Sequence, residues 1–148
     1  MNHDELLKFT NQEYEYVLKK VKDTKKADTF VRLLVIIKNL EVIVPMDTNG
    51  DTPICITTDD CNTQIVCYTS NKYVPQKYRK YKLININFME FVDKYYDNTK
   101  YQGLCINTGT EYELILVNQL IDGMKSNQVE MLLYSNLENW VKSVLFFI

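Results

Sequence analysis

The chain has 148 residues, of which 46% are hydrophobic and 24% charged, and its formal net charge is −2 at pH 7. This composition excludes a disordered or linker-rich protein, and the length suffices for one domain with its own core. So small a charge provides no long-range field that attracts phosphates, so binding to nucleic acid or to acidic membranes would depend on a local patch.

Two helices are predicted at the start of the chain. Over residues 4–22, apolar side chains such as Leu7, Tyr14 and Leu18 recur on one helical face, and charges fill the other. A second helix follows over residues 29–40, where Asp28 is a suitable N-cap.

Three strands are predicted next, over residues 41–47, 53–58 and 63–69. The short polar connections between them indicate a meander. Asn49 and Gly50 tolerate positive φ, so they predict a two-residue type I′ turn in the first connection.

The acidic residues around this turn raise the question of a calcium loop, because Asp47, Asn49 and Asp51 occupy alternate positions. An EF-hand loop needs Gly at its sixth position and Glu at its twelfth, where this chain has Thr52 and Thr58. We therefore interpret the acids as turn residues, and we expect no metal site.

The second half of the chain is predicted to alternate between strands and helices. Asn87 and Glu90 form a capping-box pattern, and Gly109 occupies the turn of a second hairpin. The elements are a strand over 81–87, a helix over 88–98, strands over 103–107 and 111–117, a short helix over 118–124 and a terminal helix that Ser135 and Glu138 begin and that carries Trp140.

This order of elements predicts an α+β fold, in which helices pack on a mostly antiparallel sheet made of the meander and the second hairpin. We predict one domain over residues 1–148, with residues 126–148 as a C-terminal helical extension. The sequence leaves open whether that extension packs on this domain or on a neighbour.

Three stretches of the chain are similar to one known family: "FVRLLVIIKNLEVIVPMD" over residues 30–47, the strand end Tyr68-Thr69-Ser70 and the hairpin "GLCINTG" from Gly103 to Gly109. They resemble the amino-terminal domain of the SseB family of bacterial proteins, which usually has Pro where this chain has Thr108. The resemblance covers roughly residues 5–125. It implies the same α+β fold and a structural hairpin rather than a catalytic signature. Short proteins of this kind also resemble immunity partners of secreted toxins, which implies a protein partner.

The cysteines indicate a reducing compartment. Cys55, Cys61, Cys67 and Cys105 contain no CxxC spacing, and the one histidine, His3, lies near the terminus. We interpret them as free thiols rather than zinc ligands, with a Cys55–Cys67 disulfide as the alternative. Charged residues interrupt the N-terminal region, so we predict a cytoplasmic protein without a signal peptide or membrane span.

No constellation typical of catalysis is evident. A nucleophilic cysteine needs a neighbouring base, and His3 is poorly placed for that role. Asp59 and Asp60 are adjacent turn residues whose side chains point to opposite sides. The glycines stand singly in turns and form no phosphate loop. We therefore predict a protein that is not an enzyme and needs no cofactor.

A local concentration of lysine, arginine and tyrosine occurs in residues 71–82, "NKYVPQKYRKYK", which we call the basic segment. It is compatible with a solvated loop, with a protein interface, or with single-stranded nucleic-acid binding through phosphate contacts and base stacking. Adjacent tyrosines on the following helix add surface rings. The predicted partner-binding residues are Tyr73, Tyr78, Arg79, Lys80, Tyr81, Tyr95 and Tyr96.

These observations favour a non-catalytic protein-binding module resembling SseB, with a toxin as one candidate partner. The alternative is a small regulatory domain that binds a small molecule or single-stranded nucleic acid.

Overall fold

The computed structural model describes residues 9–59 and 61–126. This part of the chain contains six strands and four helices. The helices are α1 (Asn11–Thr24), α2 (Ala27–Lys38), α3 (Phe88–Tyr95) and α4 (Asn118–Lys125). The strands are β1 (Glu41–Pro45), β2 (Cys55–Thr57), β3 (Thr63–Cys67), β4 (Leu83–Asn87), β5 (Gly103–Ile106) and β6 (Leu114–Val117). The predicted α+β class is confirmed.

The strands form two sheets that are joined by isolated bridges. The larger sheet has the order β2–β3–β5–β6, and β1 pairs with β4 in a separate ribbon. All of these pairs are antiparallel except β3–β5, which is parallel. Backbone hydrogen bonds of 2.8 and 2.9 Å between Ile43 and Tyr68 join the two sheets. The sheet is mostly antiparallel, as predicted, but the parallel pair at its centre was not anticipated.

One pairing differs from the predicted meander, because β1 forms its ladder with β4 rather than with β2. The link to β2 is a single bridge between Met46 and Pro53, beside a hydrogen bond of 2.9 Å from Ile54 N to Pro45 O. Proline has no N–H group, so Pro45 and Pro53 leave gaps where a longer ladder would need donors.

Asp47 holds the turn between β1 and β2. Its carboxylate Oδ1 accepts hydrogen bonds from Asn49 N at 3.0 Å and from Gly50 N at 3.1 Å. Gly50 has a φ of +75°, whereas Asn49 is not in the positive region. The predicted type I′ turn is therefore wrong, because a type I′ turn needs positive φ at both central residues. The carboxylate that suggested a calcium ligand instead binds backbone amides.

The helix ends follow local capping. α1 begins later than predicted, because Thr10 and Glu13 form a capping box: Glu13 N donates to Thr10 Oγ1 at 3.4 Å, and Thr10 N donates to Glu13 Oε2 at 3.3 Å. The prediction that Asp28 caps α2 is wrong, since Lys26 is the N-cap and Asp28 lies in the first turn. Asn87 caps α3 as predicted, by accepting from Met89 N at 3.0 Å.

Apolar side chains cover both faces of the larger sheet, because successive residues of a strand point to opposite sides. Ile65 and Cys67 of β3 belong to an inner cluster that packs against the helices. The other face carries a smaller group, which we call the outer cluster: Val66, Tyr68, Val74, Tyr78 and Cys105. The basic segment contributes Val74 and Tyr78, so it covers this second face.

Several predictions concern residues outside the described part of the chain. These are the terminal helix with Ser135, Glu138 and Trp140, the extension over residues 127–148, and the positions of His3 and Asp60.

Asn107 joins the ends of the parallel strands. Its backbone N donates to Cys67 O, its side-chain Oδ1 accepts from Thr69 N, and its Nδ2 donates to Thr69 Oγ1, each at 2.9 Å. The residue is fully buried and has a φ of +55°, a region that asparagine tolerates better than most residues. We call this set of contacts the Asn107 clamp.

We expect Asn107→Ala to lower the free energy of unfolding by roughly 3 kcal/mol, because it leaves the buried Thr69 amide without an acceptor and places an alanine at positive φ. Asn107→Gly is the matched variant. It removes the same side-chain hydrogen bonds, but glycine adopts positive φ without strain, so the free energy of unfolding should fall by about 1 kcal/mol less than in the alanine variant. Urea denaturation measures both. An alanine variant as stable as the wild type would contradict the clamp.

Candidate functional site

The basic segment forms two single turns of 3-10 helix, Asn71–Tyr73 and Gln76–Tyr78, that lie against the outer face of the larger sheet. Ser70 caps the first turn through its side chain, which accepts from Lys72 N at 3.4 Å. Val74 and Tyr78 are buried in the outer cluster and anchor the segment. The local backbone is therefore fixed by burial, and the charged side chains between and beside the anchors are exposed.

A polar network ties this segment to α1. Glu15 Oε1 accepts a short hydrogen bond from the hydroxyl of Tyr73 and lies 3.5 Å from Lys72 Nζ. Asn11 Nδ2 also donates to Glu15 at 3.2 Å, and Asn11 Oδ1 accepts a short hydrogen bond from Thr69. Because Thr69 belongs to the Asn107 clamp, the network runs without interruption from the parallel strands to the basic segment.

A cleft with a volume of about 480 Å³ opens between the basic segment and the turn of the second hairpin. It lies just beyond the carboxyl ends of β3 and β5, since the segment follows β3 and the turn follows β5. Its walls are Ile56, Lys72, Tyr73, Val74, Pro75, Lys77, Tyr78, Thr108, Gly109 and Thr110. The cleft therefore combines apolar and aromatic surface with two lysines and two threonines.

Glu113 braces the hairpin side of the cleft. Its Oε1 accepts from Thr108 Oγ1 at 3.1 Å, from Gly109 N at 3.3 Å and from the thiol of Cys105 at 3.4 Å. Gly109 has a φ of +80°, as its predicted turn position requires. The turn is consequently held by side-chain contacts as well as by the strands.

The predicted partner-binding residues divide between two regions. Tyr73, Tyr78 and Tyr81 pack in or against the outer cluster, and Tyr78 is only 8% exposed. Arg79 and Lys80 are exposed, and Arg79 Nη2 donates to Asn71 O at 2.7 Å.

Tyr95 and Tyr96 lie elsewhere, against the inner cluster. The ring of Tyr95 packs on Phe91 at 6.1 Å between centroids, and the hydroxyl of Tyr96 donates a short hydrogen bond to Asn118. Nothing in the described contacts brings them beside the basic segment.

The sequence analysis missed the hairpin side of the cleft and the role of Glu15. Thr108, Gly109 and Thr110 were assigned to a turn, and their position opposite the basic segment depends on the parallel pairing of β3 with β5. Two motifs at the ends of these strands, Thr69-Ser70 and Asn107, were the available signal. Pairing them would have placed the hairpin turn beside the basic segment.

All four cysteines are free thiols in the structure. Cys55 lies opposite Ile65, so the alternative Cys55–Cys67 disulfide does not form. Burial raises the pKa of Cys67 well above its ordinary value and raises the pKa of Cys105 to about 12. Both buried thiols stay protonated near neutral pH, which makes them poor nucleophiles.

Tyr68 is a fully buried ring of the outer cluster, and its hydroxyl has no hydrogen-bond partner within the described residues. Burial raises the pKa of this phenol. Tyr14 is an equally buried phenol on the inner side, but its hydroxyl donates to Tyr112 O at 2.8 Å. The two tyrosines are thus equally buried, and they differ in whether the hydroxyl has a hydrogen-bond partner among the described residues.

Comparisons with protein-family models, with curated proteins and with solved structures find no match to the chain. The resemblance to SseB stays a prediction that rests on the motifs around Thr69 and Asn107. Among residues 9–59 and 61–126, no helix has the length and apolarity needed to cross a membrane, and no three side chains of the metal-ligating types gather.

The burial of the thiols predicts their reactivity. At about pH 8, a thiol-reactive disulfide reagent should modify Cys55 and Cys61 rapidly and Cys67 and Cys105 slowly, since the exposed pair can reach the reagent and the buried pair lacks thiolate. Cys55→Ser and Cys61→Ser should each remove one fast thiol. Fewer than four reactive thiols after denaturation without reductant would contradict the free-thiol assignment.

Tyr68→Phe should leave stability unchanged or raise it by up to about 1 kcal/mol, because it removes a buried hydroxyl that has no partner among residues 9–59 and 61–126. Tyr14→Phe is the matched control and should lower stability by about 1 kcal/mol, because it leaves the carbonyl of Tyr112 without its donor. Thermal and urea unfolding measure both. Equal destabilisation by the two substitutions would mean that the Tyr68 hydroxyl has a partner after all.

Proposed function

We propose that the chain is a non-catalytic protein-binding module that docks on an acidic surface of another protein through Arg79 and Lys80, two exposed cations of the basic segment. The observation that carries the proposal is the anchoring of this segment by Val74 and Tyr78, which leaves Arg79 and Lys80 exposed on a fixed backbone. A fixed backbone favours binding, because little conformational entropy is lost when the partner arrives.

The packing of the tyrosines supports a protein partner over single-stranded nucleic acid. Base stacking requires accessible ring faces. Tyr78 is buried, and Lys77 Nζ lies 5.0 Å from its ring centroid. Lys80 Nζ lies 5.9 Å from the centroid of Tyr81 in the same way. Rings that pack against the sheet and under their own lysines offer less surface to bases than the sequence suggested.

The chemistry of the thiols supports a non-catalytic role. Cys105 contacts Glu113, and a carboxylate next to a buried thiol disfavours the thiolate that nucleophilic catalysis needs. The free state of all four cysteines also supports a reducing compartment, so we propose that the protein works in the cytoplasm. In the narrower form of the proposal, it is an immunity protein and the partner is a toxin whose active site it covers.

Affinity capture from an extract of the native organism tests the docking. The wild-type chain should retain a stoichiometric protein partner, and raised ionic strength should weaken the complex because the contacts are charged and exposed. Arg79→Glu with Lys80→Glu should lower the affinity at least about tenfold through like-charge repulsion. Lys80→Glu alone keeps the hydrogen bond from Arg79 to Asn71 and should show a smaller loss.

The control is Lys19→Glu with Lys20→Glu, an adjacent and exposed basic pair on α1. It changes the net charge by the same amount and should leave the complex intact. Capture of no stoichiometric partner, or equal loss in both double variants, would count against the proposal. If the purified partner is a toxin, addition of the wild-type chain should abolish its activity.

A further inference from the structure

We propose that the cleft between the basic segment and the turn of the second hairpin binds a small molecule that carries a carboxylate or phosphate on an apolar body. This inference goes beyond the docking proposed above and does not depend on it. The docking residues Arg79 and Lys80 are not in the walls of the cleft, so the two proposals rest on different side chains.

The position of the cleft in the fold favours a ligand site. Where neighbouring strands are parallel, their carboxyl ends lie at the same edge, and the loops that leave them diverge around a crevice that commonly holds ligands. β3 and β5 are the parallel pair, with Cys67 opposite Ile106 at their last register position. The basic segment leaves one strand and the hairpin turn leaves the other, and the cleft opens between them.

The charge of the walls selects an anion. Lys72 and Lys77 both line the cleft, and none of its described wall residues is acidic. Lys72 is partly neutralised by Glu15 at 3.5 Å, whereas Lys77 forms no ion pair within the described residues. The ammonium group of Lys77, beside this apolar surface, can form a charge-assisted hydrogen bond with one carboxylate or phosphate. The ligand's anionic end is therefore assigned to Lys77.

The remaining walls select an apolar body of limited size. Ile56, Val74 and Pro75 supply aliphatic surface, and the rings of Tyr73 and Tyr78 supply flat surface. The volume of about 480 Å³ lies within the range of sites for small ligands. At Gly109, a Cβ atom would meet no heavy atom within 4 Å, so the turn leaves free space on that side.

The walls are held in place before any ligand arrives. The polar network fixes Tyr73 through Glu15, and Glu113 fixes Thr108 and Gly109. A preformed cleft loses little entropy on binding, and this is the usual condition for small-molecule sites.

Titration of the full-length chain with benzoate and phenyl phosphate, followed by amide chemical shifts, tests the assignment. Benzyl alcohol and benzylamine are the neutral and cationic probes of similar shape. We expect saturable shifts at Val74, Lys77, Gly109 and Thr110 with the two anions, weaker shifts with the alcohol, and none with the amine.

Two substitutions and one control locate the binding. Lys77→Gln should raise the Kd of both anions about five- to tenfold, because it removes the charged partner of the anion. Ile56→Trp should fill the cleft and weaken all probes, with circular dichroism used to show that the variant remains folded. Lys80→Gln is the matched control, because Lys80 is an exposed lysine beside a tyrosine but outside the cleft, and it should leave the Kd unchanged.

Several results would overturn the proposal: absence of saturable shifts at the cleft, equal affinity for anionic and neutral probes, or insensitivity to Lys77→Gln. A short glutamate peptide that shifts the same amides while the aromatic anions do not would assign the cleft to a protein partner, and would overturn the small-molecule assignment. The result is separable from docking. A chain that binds the anions but captures no protein would refute docking alone, and a chain that captures a partner but ignores the anions would refute this inference alone.

Discussion

The hydrogen bonds between Asn107 and Thr69 are the constraint on which the rest of the structure depends. They are made by a fully buried side chain, where an unpaired amide would cost about 1–3 kcal/mol, so the arrangement has little freedom to change. They fix the ends of β3 and β5 at the same level. The two chain segments that follow must then leave the sheet side by side, and the cleft is the space between them.

The clamp lies at the end of a sheet that carries apolar clusters on both faces. The inner cluster, with its large buried rings and aliphatic side chains from all four helices, stabilises the domain. The outer cluster is smaller, and the hydroxyl of Tyr68 in it finds no partner in the part of the chain that the structure describes. It therefore contributes less stability and serves mainly to position the basic segment. Through Thr69 and Asn11, the polar network then reaches Glu15 of α1 and couples the segment to the helical layer.

Some local features of the fold were predictable from the sequence, but the type I′ turn, the Asp28 cap and the long-range pairing were not. Asn87 as an N-cap and Gly109 in a turn depend on neighbouring residues, and both were predicted correctly. The parallel pairing of Gln64 with Gly103 joins residues far apart in the chain and leaves no periodic signal in either strand. The predicted meander paired β1 with β2 along their length, but Pro45 and Pro53 lack the N–H donors that such a ladder needs. The same holds for the candidate site. The sequence predicted its basic side, but it did not predict the contact between Tyr73 and Glu15, which lie 58 residues apart in the chain.

Native-state hydrogen exchange at the Thr69 amide tests the central claim most directly. If Asn107 Oδ1 is its acceptor in a buried clamp, this amide should exchange only through global unfolding, with the same free energy as the amides of β3. In Asn107→Gly it should exchange through local opening, while the β3 amides keep most of their protection. A Thr69 amide that exchanges readily in the wild-type protein would contradict the account, because the loops that form the cleft would then have no fixed origin.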